Sequence, residues 1–113
     1  VTRPASLPER ERGVCCDLTL EPAAKAADTV VVLKALADPA RLRMVLALRA
    51  AKEPICVCDF TAALALSQPT ISHHVARLRE AGLVEVTRKG VWAYYRLRPH
   101  LPEPVRRIVE ALG

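Results

Sequence analysis

The chain has 113 residues, with 17 Lys and Arg against 12 Asp and Glu and a formal net charge of +5. That length suits one small domain whose core self-association would help to complete. Although 51% of the residues are hydrophobic, no uninterrupted apolar run reaches the length of a membrane span. Val1-Thr2-Arg3-Pro4 leads into no apolar h-region, so the sequence points to a cytoplasmic protein rather than a secreted one. In that setting Cys15, Cys16, Cys56 and Cys58 are expected to be thiols or metal ligands and not structural disulfides.

Residues 1–20 are rich in Pro and charge and lack periodicity, which predicts a flexible arm carrying Cys15-Cys16 ahead of one domain over residues 21–113. A first helix is expected from about Pro22 to Ala37, with Ala23, Ala27, Val30, Val31 and Lys34 among its positions; its small Ala side chains permit close helix packing. Asp38-Pro39 reads as an N-cap followed by a first-turn proline, opening a second helix to Ala50 with Leu42, Val45, Leu46 and Leu48 mostly inward. Lys52-Glu53-Pro54 breaks the pattern. A third, short helix then spans roughly Val57 to Ala65 and carries Phe60, Ala63 and Leu64.

The next helix is bounded by Ser67, a good N-cap, by Pro69 in the first turn, and by Gly82, which can take a left-handed conformation at the helix end. Ile71, Val75 and Leu78 fall at i, i+4 and i+7 and form one buried stripe. Ser67, Gln68, Thr70, Ser72, His73 and Arg77 lie off it. Short polar side chains of this kind both donate to and accept from base edges, so the outward face reads as a recognition surface for DNA. The third helix, the turn at Leu66-Ser67 and this helix together have the helix-turn-helix layout.

After Gly82 the period changes. Leu83–Arg88 and Val91–Leu97 are rich in branched and aromatic residues and are joined across Lys89-Gly90, which predicts a two-stranded wing with Arg88 and Lys89 placed to reach phosphates. Pro102–Leu112 closes the chain as a helix with Val105, Ile108, Val109 and Leu112 on one stripe, to be covered by the first helix or by a second subunit. The fold class is therefore mainly α with a two-stranded β-wing, a winged helix-turn-helix, expected as a homodimer. Charge agrees with the DNA reading: residues 67–98 carry six Lys and Arg against two Asp and Glu, whereas residues 1–66 carry nine against eight. An enzyme is not expected, because Ser72, His73 and His74 project in different directions from one helix and form no nucleophile and base pair.

Cys56 and Cys58 flank Val57 just before or at the start of the third helix. Positions i and i+2 of a regular helix point about 200° apart, so the two thiols can share a ligand only if Cys56 lies in a non-helical lead-in. The helix start is also expected to lower a thiol pKa, favouring the thiolate that binds soft metals. With Cys15-Cys16, these residues form a candidate ligand set of three or four thiolates. Three suit As(III) or Sb(III), and four better suit Cd(II), Pb(II) or Zn(II).

At this point the sequence resembles the ArsR/SmtB family of winged-helix, metal- and metalloid-responsive repressors. The resemblance rests on residues 33–43 (Leu-Lys-Ala-Leu-Ala-Asp-Pro-Ala-Arg-Leu-Arg), the Cys56-Val57-Cys58-Asp59 box, residues 66–74 and residues 78–84. It implies a homodimer built on the first and last helices, operator DNA as partner, and release of that DNA when thiolates take up the ion. Thr61 stands three residues after Cys58, where some relatives carry a further cysteine, so the resemblance directs the extra thiolate to Cys15 or Cys16. Proteins similar in both the arm and the box put arsenite first among the inducers. The last helix lacks the His of a zinc site, and His100 is read as a solvated loop residue.

Overall fold

The structure is a computed structural model and describes residues 7, 9, 11–13 and 17–113. The expected arm falls largely outside this range, and both Cys15 and Cys16 lie outside the described residues.

Among the described residues, five helices and three strands follow in the order α1 (Ala23–Leu36), α2 (Pro39–Ala50), β1 (Ile55–Cys56), α3 (Val57–Leu64), α4 (Gln68–Glu80), β2 (Val84–Lys89), β3 (Trp92–Leu97) and α5 (Glu103–Ala111). Local chemistry explains the boundaries. Asp38, in extended conformation, accepts from the Arg41 amide at 3.0 Å and caps α2, with Pro39 in the first turn. Ser67 does the same for α4 through the Thr70 amide. At the other end of α4, Gly82 takes φ +76° while its amide donates to Arg79 and the Leu83 amide to Leu78, a Schellman closure that turns the chain into β2.

The turn between α3 and α4 is less ordinary. It is made by Ala65 at φ 55°, a left-handed conformation held by a residue with a Cβ, and no glycine announces it in the sequence.

The two-stranded wing expected from the sequence is the β2–β3 hairpin, and the sheet gains one further short strand. β2 and β3 pair antiparallel from Val84↔Leu97 to Lys89↔Trp92, and β1 adds on the other side of β3 with Ile55↔Tyr95 and Cys56↔Tyr94, giving the order β1-β3-β2. Two residues of strand sit below the length that hydrophobic alternation can reveal, so Ile55-Cys56 reads from sequence as a lead-in to α3.

The core forms where α1, α2, α4 and the sheet meet. The predicted stripe Ile71, Val75 and Leu78 is fully buried, as are Met44 and Val45 of α2 and Leu83. On α1 it is Val32, Ala35 and Leu36 that face inward. Val30, Val31 and Leu33 remain 43–50% exposed. Val105 and Val109 of α5 are buried, and α1 packs against that helix. Arg49 of α2 donates to the Val109 carbonyl at 2.9 Å and to the Leu112 carbonyl, satisfying acceptors that the end of α5 leaves free.

The hydrogen bond from the Arg41 amide, with the Arg41 guanidinium nearby, holds the Asp38 carboxyl below the usual carboxylate range. A depressed carboxylate contributes stability above its unfolded pKa and loses it as pH falls through the folded value, so the cap is fully effective at neutral pH and fades below about pH 4. Asp38→Ala is expected to cost about 1 kcal/mol in urea denaturation at pH 7. The deficit relative to the parent should shrink as pH falls below about 4; a constant deficit would deny the carboxylate its capping role.

Candidate nucleic-acid interface and thiol site

The predicted recognition residues occupy one exposed surface of α4. Ser67, Gln68, Thr70, Ser72, His73 and Arg77 are all solvent-exposed, while Ile71, Val75 and Leu78 are buried. Two of them have a second duty, since Ser67 Oγ and Thr70 Oγ1 share a hydrogen bond at 2.9 Å and Ser67 caps the helix. Arg77 lies 3.6 Å from Glu80, with both side chains more than half exposed, a pairing weak enough for a phosphate to displace. Arg88 and Lys89 are exposed at the end of β2, where a two-residue link with Gly90 at φ +61° turns the chain into β3.

Sequence reasoning missed Arg41. From the first turn of α2 it donates through Nε to the Ala35 carbonyl at 2.6 Å and approaches His74 Nδ1 at 3.2 Å. A guanidinium only donates, so Nδ1 must accept and the ring carries its proton on Nε2. The contact ties the half-buried side of the recognition helix to the α1–α2 corner. Lys34 and Arg41 also join His73 and Arg77 around a recess of about 440 Å³ between α1 and α4, extending the basic surface beyond residues 67–98. The Asp38-Pro39-Ala40-Arg41 run places Arg41 in a capped first turn, but nothing local pairs it with a residue 33 positions away.

Cys56 lies in the non-helical lead-in, as a shared ligand requires. With φ −74° and ψ 149° it is the N-cap of α3, its amide donates to Asp59 Oδ2 at 3.1 Å, and the two sulfurs stand 3.0 Å apart. Cys56 is 5% exposed and Cys58 is open to solvent. One expectation fails here: the Cys58 pKa is raised rather than lowered. Its thiol donates to Cys56 and would forfeit that hydrogen bond on ionising, with added desolvation and the neighbouring Cys56 and Asp59 charges acting in the same direction. The helix-start effect does not overcome these.

Two adjacent soft donors suit a thiophilic ion, and among the described residues no group of three or more Cys, His, Asp or Glu forms around them. Thr61 is occupied locally, its hydroxyl donating to the Cys58 carbonyl at 2.7 Å.

The helix-turn-helix and the β-hairpin beside it define the winged-helix class of DNA-binding folds. Residues 38–86 match the arsR family of bacterial regulatory proteins. Over 82 residues, 73% of this chain and 63% of the relative, the sequence is 50% identical to the arsenic resistance transcriptional regulator ArsR1 of Pseudomonas putida. It is 46% identical to the arsenical resistance operon repressor of Escherichia coli over 72% of this chain and 68% of that one. The matched segment thus spans about two thirds of the length of these relatives.

Among solved structures, the AntR antimony-specific transcriptional repressor superposes with a TM-score of 0.66 at 31% identity, covering 83% of this chain and 81% of its own. A homodimeric winged helix-turn-helix domain from Mycobacterium bovis gives 0.65 at 29% identity, with 85% and 84% covered. The chain belongs to the arsR family of bacterial transcriptional regulators.

The Arg41 contact fixes a tautomer that can be observed. Long-range proton–nitrogen spectra at neutral pH are expected to show His74 protonated at Nε2 with an unprotonated, hydrogen-bonded Nδ1, and Arg41→Ala to release that preference. A His74 ring protonated at Nδ1 would mean that the contact is not made in solution.

Proposed function

We propose that the chain is a metalloid-responsive transcriptional repressor that binds operator DNA as a homodimer and lets go when cysteine thiolates take up arsenite or antimonite. The observation that carries this reading is the Cys56–Cys58 pair, 3.0 Å apart at the start of the helix that supports the recognition helix. The names of its relatives, arsenic-resistance regulators and an antimony-specific repressor, support the ligand class. Cys15 or Cys16 supplies the further thiolate, and a set of all four would suit Cd(II), Pb(II) or Zn(II) instead. Ser72 and His73 face solvent on the recognition helix while His74 turns toward Arg41, an arrangement that suits DNA reading better than a nucleophile and base pair.

A second subunit is called for by α1, whose apolar Val30, Val31 and Leu33 have no cover among the described residues. Two copies related by a two-fold axis place their α4 helices in successive major grooves, about 34 to 36 Å apart, on an inverted repeat. Gln68, Ser72 and His73 read base edges there, helped by Ser67 and Thr70 at the helix start. Arg77, Arg88 and Lys89 meet phosphates and make binding fall steeply with salt.

Fluorescence anisotropy with labelled upstream DNA, under reducing conditions and with each ion in turn, tests this. Arsenite should weaken operator binding by about 5- to 150-fold. Cys56→Ser with Cys58→Ser should bind DNA as the parent does and ignore arsenite, and loss of both Cys15 and Cys16 should blunt the response. A normally inducible Cys56→Ser/Cys58→Ser variant would move the sensing site elsewhere.

A further inference from the structure

The strand that sequence reading missed connects the thiol pair to the wing. β1 consists of Ile55 and Cys56 and, among the described residues, pairs only with β3, where Cys56 stands opposite Tyr94 and Ile55 opposite Tyr95. Register partners in an antiparallel sheet share a face, and faces alternate along a strand. Tyr95, Ala93 and Val84 are buried on the inner face. The other face carries Cys56, Tyr94 and Thr87 and then, one step toward the tip, Trp92 opposite Lys89. Trp92 lies two residues from Tyr94, about 7 Å along the strand. Its side chain is 52% exposed beside the exposed Lys89, an apolar surface joined to a cation at the end of the hairpin that follows α4.

We propose that this outer wing face, with Trp92 and Lys89 at its tip, is a DNA-contacting surface through which thiolate ligation releases the operator. The inference rests on the repressor reading above and adds a second route to the one through α3. Lys89 meets a phosphate, and Trp92 packs against the sugars and base edges lining the groove beside it, as apolar side chains do when they accompany cations on DNA. Ligation as thiolates breaks the hydrogen bond from the Cys58 thiol to the Cys56 sulfur and draws both sulfurs onto the ion, which pulls on the residue whose backbone pairs with Tyr94 and starts α3. β1 has only two residues and, among the described residues, no further pairing to hold it in place. β3 loses its edge partner, and the hairpin alters its angle to α4. The ion has to move two residues of backbone, not a whole domain.

The test compares the factor by which saturating arsenite weakens operator binding in the reduced full chain and in Lys89→Ala, Trp92→Ala and Gln68→Ala. All three variants should bind operator more weakly than the parent. In the two wing variants the arsenite factor should be severalfold smaller, because the contact that ligation withdraws is already missing, whereas Gln68→Ala should keep the parental factor.

Emission from Trp92, the one tryptophan, should change with arsenite in the DNA-free protein and stay constant in Cys56→Ser/Cys58→Ser. Parental arsenite factors in both wing variants, or Trp92 emission indifferent to arsenite while the operator is still released, would overturn the wing route and leave the repressor reading standing. A parent chain that arsenite does not release would overturn the reading and this inference together.

Discussion

Cys56 holds three positions at once. Its backbone belongs to β1 and pairs with Tyr94, its extended conformation and its amide's bond to Asp59 start α3, and its sulfur receives the Cys58 thiol at 3.0 Å. Each of these constrains the others, because a sulfur near its neighbour's requires the residue to stay out of the helix, and staying out of the helix is what lets it join the sheet. The sulfur thus sits where α3, which packs against α4, and the sheet that carries the wing meet. In the proposed switch no separate transmitting element is needed, because β1 has only two residues to displace.

The rest of the fold holds α4 in place against that point. Its buried stripe is fixed by Ile71, Val75 and Leu78, its start by the Ser67 cap, its end by the Gly82 closure, and its side by the Arg41–His74 contact with the α1–α2 corner. These anchors come from different elements, so the recognition surface is positioned as a body. Arg49 ties α2 to the end of α5, and α5 packs against α1, the helix whose apolar positions lack cover among the described residues.

What the sequence disclosed follows from the range over which each signal acts. Caps, first-turn prolines and the i, i+4, i+7 stripe are local, and α2, α4 and the hairpin stand where those signals place them, with Cys56 correctly outside α3. Ala65 hid its turn because it carries a left-handed conformation without glycine. β1 hid because two residues show no alternation, and Arg41–His74 because the pairing exists only after folding. The inward face of α1 was equally hard to read: that helix is apolar around much of its surface, and only its neighbours decide that Val32 is buried while Val31 is not. The thiol pKa went the opposite way to the helix-start expectation, since a direct sulfur–sulfur hydrogen bond acts over a shorter distance than a helix dipole.

The central claim is that Cys56 and Cys58 form two legs of a thiolate site completed by the arm. X-ray absorption at the arsenic edge, on the reduced full chain loaded with one arsenite per subunit, counts the sulfurs directly. A first shell of three sulfurs that drops by two in Cys56→Ser/Cys58→Ser and by one on losing both Cys15 and Cys16 is the expected result. A shell that stays the same in the Cys56→Ser/Cys58→Ser variant would contradict it.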